Sequence, residues 1–218
     1  MSVLDVVDLT VRDANARTML ERISFAVPAG ESYALAGPPG VGKSILIEAL
    51  LGLRPATSER RIVCGIDAAV HPLQARSHVT YVTGTGALLP ALSVRRNVSW
   101  LLQLLGLRAS PREIDRALRA AEVPDRHLAA PARSLPPSER LGVWLAIASL
   151  RKSAVVVLDD PARDFGVLAG ERLAGMLEEF RGRGVTILLT CRDARLAATL
   201  ARRVGVLDAG KKVAELTT

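Results

Sequence analysis

One eight-residue run, Gly37-Pro38-Pro39-Gly40-Val41-Gly42-Lys43-Ser44, constrains this chain more than any other stretch. It has the spacing G-x-x-x-x-G-K-[ST], and it lies between a β-like stretch at 31–36 and a helical pattern at 41–53. Each part has a chemical reason. Gly40 and Gly42 let the backbone turn its N–H groups inward around phosphate oxygens. The helix that follows aims the positive end of its dipole at the same anion. Lys43 supplies a charge for β- and γ-phosphates, and Ser44 a hydroxyl for Mg²⁺. The run therefore predicts a nucleotide site built from Gly37, Pro38, Gly40, Val41, Gly42, Lys43 and Ser44, with a nucleoside triphosphate and Mg²⁺ as ligands.

A second half of such a site stands far along the chain. Residues 155–158 are a continuous apolar run ending in Asp159-Asp160, the pattern of a parallel strand buried on both faces. A strand-end acid of this kind can hold the hydration shell of Mg²⁺ beside Ser44, and Asp159 is the candidate. The remaining pattern alternates strands and helices. Strands are expected at 3–9, 23–27, 79–83, 185–190, 204–207 and 212–215. Helices are expected at 94–105, 141–150 and 166–181, with a further one opening at Ser110-Pro111-Arg112-Glu113 and running to about 121. In that opening serine caps, proline fits the first turn and glutamate completes a capping box. The alternation predicts an α/β fold with a mainly parallel sheet wrapped by helices.

Composition narrows the function classes. The 218 residues suffice for one α/β domain with a large core. No apolar run reaches the ~18–20 residues that span a bilayer. The first residues, Met1-Ser2-Val3-Leu4-Asp5, lack the pattern of a signal peptide, so a cytoplasmic location is expected. The net charge is +7, but the arginines, 25 of 29 basic residues, are scattered rather than clustered. Aromatic residues are only 3%, too few for a base-stacking platform, so no nucleic-acid partner is expected. Cys64 and Cys191 show neither a disulfide framework nor metal-ligand spacing.

Beyond the phosphate loop, an ordered set of segments resembles the ATP-binding subunits of ABC transporters. Leu9-Thr10, Ile23-Ser24-Phe25-Ala26-Val27 and Gly30-Glu31 resemble that family's antiparallel opening. Tyr81-Val82 and the run Ala87-Leu88-Leu89-Pro90-Ala91-Leu92-Ser93-Val94-Arg95-Arg96-Asn97-Val98 resemble its passage from the Q-loop into a helical subdomain. Val143, Leu145, Ala146 and Ala148 stand where its signature helix reads V-A-L-A-R-A, and Asp159-Asp160-Pro161 where it reads D-E-P. Leu189-Thr190 and residues 204–210 resemble its switch strand and closing strands. The resemblance covers essentially the whole chain. It implies a P-loop NTPase of ABC type spanning 1–218, with ATP as the nucleotide and with an antiparallel β subdomain and a helical subdomain at about 90–150. It implies a second ATP-binding subunit and membrane-spanning permease subunits as partners, at the inner face of the cell membrane. Leu104-Leu105-Gly106-Leu107 and Ile114-Asp115 look most like the ATPases of exporters.

The same resemblance exposes departures. The Q-loop glutamine falls at Gly84, and the aromatic that stacks on adenine falls near Asp13. The signature L-S-G-G-Q reads Leu135-Pro136-Pro137-Ser138-Glu139. Its prolines have no N–H to give a phosphate, although they make a good helix start, and Glu139 is expected to add negative charge near that anion. Ser138 keeps one hydroxyl. The catalytic glutamate is replaced by Asp160, one methylene shorter, and the switch histidine by Cys191. The loop after Pro161 reads Arg163-Asp164-Phe165-Gly166 and also departs. These changes beside an unaltered phosphate loop identify a degenerate member that keeps nucleotide binding while hydrolysis is weak or depends on a partner. Two other readings stay open: a non-transport regulatory or scaffold protein, and, ranked last, a nucleic-acid-linked ATPase of the same family.

Overall fold

The computed structural model describes residues 2–83, 88–162 and 169–218. Gly84 and the 163–166 loop lie outside them. The chain opens with two long antiparallel strands, β1 (Ser2–Arg12) and β2 (Thr18–Pro28), then β3 (Ser32–Ala36), which runs into the glycine-rich loop and α1 (Lys43–Leu50). Two short strands follow, β4 (Arg60–Val63) and β5 (Ile66–Asp67), then α2 (Pro72–Ser77) and β6 (Val79–Thr83). Next come four helices: α3 (Val94–Leu104), α4 (Pro111–Ala120), α5 (Asp125–Leu128) and α6 (Pro137–Leu150). The chain then returns with β7 (Val155–Asp159), α7 (Ala169–Gly182), β8 (Thr186–Cys191), α8 (Ala194–Leu200), β9 (Arg203–Asp208) and β10 (Lys211–Thr217).

The strands form two sheets. One is antiparallel, in the order β2-β1-β4-β5; the other runs β10-β9-β3-β8-β7-β6. In the second sheet β9, β3, β8, β7 and β6 are parallel and only β10 is antiparallel. Parallel strands covered on both faces need apolar side chains at every position, and alternate residues here enter two separate cores. Tyr33, Leu35, Val155, Val157 and Leu188 pack with α1 and the antiparallel sheet. Ala34, Ala36, Val156, Leu158, Ile187 and Leu189 pack on the other face with the α3–α6 helices and with α7 and α8. Among the described residues no helix is long and apolar enough to cross a membrane.

The helical layer is pinned by polar contacts. The capping box at Ser110 forms, with Glu113 accepting from the Ser110 backbone N–H at 2.7 Å. Arg95 pairs with Asp115 and ties α3 to α4. The buried Asn97 amide holds the turn before α3 by bonding the backbone of Leu89, Leu92 and Ser93. Several boundaries differ from the sequence expectation; β1 and β2 are longer than the expected 3–9 and 23–27 because they pair with each other along most of their length. The helix expected at 41–53 starts later because Gly42 adopts φ +104°, outside the right-handed helical region, and it ends at Leu50, before Gly52 at φ +66°. The helix expected at 141–150 begins one turn earlier, because Pro136 caps it and Pro137 fills its first position.

Candidate functional site

Parallel pairing brings the ends of three strands to one edge. Ala36 of β3 lies in register with Cys191 of β8, and Leu158 of β7 with Leu189. The glycine-rich loop starts there, tied down by the Gly37 N–H donating to the Cys191 carbonyl at 3.2 Å. At its far end Gly42 occupies the N-cap of α1, and the helix has no side-chain cap. Its first-turn N–H groups are thus left for an anion rather than for a serine or aspartate. A Cβ on Gly42 would come within 2.7 Å of Leu20 Cδ2, in a backbone conformation that a side chain already strains.

Lys43 is buried and curls over the loop, its ammonium donating to the carbonyls of Gly37 at 2.6 Å and Pro38 at 2.9 Å. Burial lowers its pKa, and the charges of Asp160 and Asp159 oppose that shift. Ser44, one residue on, is exposed. Across from them, Asp159 Oδ1 accepts from the Thr190 hydroxyl at 2.7 Å. Asp160 has φ +52°, and its N–H donates to the same Thr190 oxygen at 2.8 Å. Its Oδ2 accepts from Arg192 Nε at 2.7 Å.

These groups share one cavity of about 310 Å³, lined by Pro39, Gly40, Gly42, Lys43, Ser44, Ile45, Asp159, Asp160 and Arg192. The exposed Ser44 hydroxyl and the Asp159 carboxylate present hard oxygen donors to the same space, the donor set that suits Mg²⁺. Of the expected phosphate-loop residues, Gly40, Gly42, Lys43 and Ser44 line this cavity together with both strand-end acids, while Gly37, Pro38 and Val41 do not.

Other expected positions are not part of this cavity. Cys191 is packed into the core at 1% exposure, and burial pushes its thiol up to about 12. Leu135 is buried, Pro136 and Pro137 start α6, and none of residues 135–139 lines the cavity. Glu139, expected to bring charge toward an anion, instead points inward. It is 6% exposed and its carboxylate meets His127 Nδ1 across the α5–α6 junction. Asp13 closes the β1–β2 turn by accepting from the N–H groups of Asn15 and Arg17 at 2.9 Å each, and among the described residues no aromatic lines the cavity.

Sequence reasoning placed Thr190 in a switch strand without a contact to the acids, and gave no role to Arg192. The signal for Thr190 was a polar residue inside an apolar strand, and for Arg192 a cation just past that strand's end.

The fold and this cavity define a nucleotide-binding α/β domain. Comparison with known proteins gives the family. A sequence profile described as "ABC transporter" matches residues 20–163. The nickel import ATP-binding protein NikD of Brucella suis biovar 1 is 31% identical, over 94% of this chain and 82% of its own length. The cobalt import ATP-binding protein CbiO of Rhodobacter capsulatus is 33% identical, over 90% of this chain and 72% of its own. The Nod factor export ATP-binding protein I of Burkholderia orbicola is 29% identical, over 91% and 66%. In fold, the chain matches cbiO1 from Clostridium perfringens, part of the ABC transporter complex cbiONQ. The TM-score is 0.86 at 21% identity, covering 99% of this chain and 88% of that one. It also matches the ATP-binding cassette MJ0796, solved as a dimer in a post-hydrolysis state with ADP and Pi, with a TM-score of 0.79 at 19% identity over 98% of both. The chain belongs to the ABC transporter family, among its ATP-binding subunits.

Proposed function

We propose that this chain binds Mg-ATP and drives or regulates an ABC transporter by ATP-dependent association with a second ATP-binding subunit, with little hydrolysis of its own. The carrying observation is the cavity that unites Lys43, Ser44, Asp159 and Asp160 at the uncapped start of α1. In this reading the loop of Gly37, Pro38, Gly40, Val41 and Gly42 cradles the phosphates, and Lys43 exchanges its carbonyl partners for them. Ser44 and Asp159 hold Mg²⁺, which when bound offsets phosphate charge and orients the terminal phosphate.

The weak hydrolysis rests on the groups that would act next. Asp160, at the position of the general base, is one methylene shorter than the glutamate it replaces, which shortens its reach toward an attacking water. Cys191 is a buried neutral thiol in place of a switch histidine. Pro136 and Pro137 offer no N–H to a nucleotide held by a facing subunit. The whole chain acts as one ATP-binding domain, with residues 90–150 as the helical part that meets the membrane subunits, on the inner face of the membrane. The relatives named above serve import and export alike; the helical segment at 104–107 supports export.

The test is Mg-ATP turnover by wild type, Lys43→Ala and Asp160→Asn, with ATP-dependent mass measured by light scattering. We expect ATP binding that Lys43→Ala abolishes, association that requires ATP, and turnover barely above both variants. Rapid turnover lost in Asp160→Asn would show a working base and overturn the weak-hydrolysis part. Absence of ATP binding by wild type would overturn the whole reading.

A further inference from the structure

We propose that Arg192 is the residue that reads the terminal phosphate in this chain, leaving Asp160 for a triphosphate and returning to Asp160 with a diphosphate. The proposal rests on the nucleotide reading above and assigns the discrimination within that site. It starts from a gap. The strand end that faces the nucleotide needs a polar or cationic group to sense a γ-phosphate, yet Cys191 is buried, uncharged and outside the cavity. The next residue supplies what is missing. Arg192 lines the cavity together with Lys43 and Ser44.

Arg192 is also placed to move. Its side chain is 48% exposed, and its ion pair with Asp160 runs from Nε to one carboxylate oxygen at 2.7 Å. A half-exposed pair of this kind holds weakly, because water competes for both partners and the side chain loses freedom in forming it. A guanidinium offers five N–H donors in a planar fork that matches phosphate oxygens, so a terminal phosphate is a stronger partner than a lone carboxylate. Asp160 is the fixed member of the pair. Its backbone N–H is anchored to Thr190, and its side chain is 21% exposed.

Charge supports an exchange of partners. Lys43 and Arg192 balance Asp159 and Asp160 in the cavity. A triphosphate adds negative charge beside Asp160, so the arginine gains by turning toward the phosphate. The same turn releases the Asp160 carboxylate, so occupancy by a triphosphate and exposure of that carboxylate are one event.

The test compares affinities for Mg-ATP and Mg-ADP in wild type, Arg192→Gln, Arg192→Lys and Lys43→Ala, by displacement of a fluorescent ATP analogue, with thermal unfolding as the check on folding. We expect Arg192→Gln to weaken ATP binding about tenfold while ADP binding changes less than about twofold, and Arg192→Lys to recover part of the loss. Equal weakening of both nucleotides in Arg192→Gln would assign the arginine to shaping the pocket and overturn the proposal. No change in either would make it a permanent partner of Asp160 and overturn it equally. If Lys43→Ala abolishes binding in those cases, the nucleotide site stands without Arg192. If Lys43→Ala binds both nucleotides as wild type does, the site reading itself fails and this proposal falls with it.

Discussion

The Thr190 hydroxyl donates to Asp159 at 2.7 Å and accepts the Asp160 N–H at 2.8 Å, so one buried oxygen fixes both acids at the end of β7. Thr190→Val keeps the shape and removes both bonds. It leaves the Asp160 N–H and an Asp159 carboxylate oxygen, both partly buried, short of a partner beside the fully buried position 190. We expect a loss of about 1–3 kcal/mol in denaturant unfolding. We also expect a larger fall in affinity for Mg-ATP than for ATP in chelator, because Asp159 loses its orientation. Thr190→Ser, which restores the hydroxyl, should recover both. A valine variant as stable as wild type would show that water replaces the hydroxyl.

Glu139 gives a second prediction. Its carboxylate is turned into the helical layer against His127, so its role is in holding α5 to α6. Glu139→Ala and His127→Ala should each destabilise the protein. The double variant should cost less than the sum of the two, with a coupling of about 1 kcal/mol or more. Strict additivity would mean that the contact contributes nothing. Weakened ATP-dependent association in a Glu139→Ala protein of undiminished stability would place the side chain at the subunit interface instead.

What the sequence disclosed and what it hid follow the range of the interactions involved. The phosphate loop was legible because its requirements are local: φ +104° at Gly42 and a helix beginning at Lys43. The buried parallel strands were legible because both faces are covered, which forces continuous apolar runs such as 155–158. β4 was missed because it opens with Arg60 and Arg61. The second of these is buried and donates to the Ala49 carbonyl at the end of α1, a partner that no local pattern announces. The direction of Glu139 was hidden for the same reason, since His127 precedes it by twelve residues and meets it only once α5 and α6 pack. Arg192 was passed over because its partner, Asp160, is 32 residues away and is brought beside it by strand register.

The α3–α4 ion pair predicts a pH dependence. The Arg95 guanidinium, chiefly through its hydrogen bond, holds the Asp115 carboxyl below its ordinary range. A depressed carboxylate stabilises the fold above its unfolded value of about 4, and that contribution disappears as pH falls through the lower folded value. Asp115→Asn should therefore be less stable than wild type at pH 7, by under about 1 kcal/mol because the pair is partly exposed. The two proteins should converge near pH 2. Thermal unfolding at the two pH values decides it: a difference that persists in acid would assign the effect to packing rather than charge.

The two cysteines should differ sharply as nucleophiles. The thiolate is the reactive form, and burial disfavours it. Cys191 is 1% exposed with its thiol pushed up to about 12, chiefly by burial and further by the charge of Asp160. Cys64 is also raised by burial but is only partly covered. At pH 8 iodoacetamide should label Cys64 slowly and leave Cys191 untouched until denaturant unfolds the protein, as read by peptide mass spectrometry. The sign is set by the neutral form. Folding favours the protonated thiol, so the stability tied to Cys191 is complete below its unfolded value near 8.5 and declines as pH rises above it. Cys191→Ala should flatten that decline between about pH 9 and 11. Labelling of Cys191 in the folded protein at the rate of Cys64 would mean that the end of β8 opens in solution. The anchor that Gly37 makes to the Cys191 carbonyl would then open with it, and with that the start of the phosphate loop.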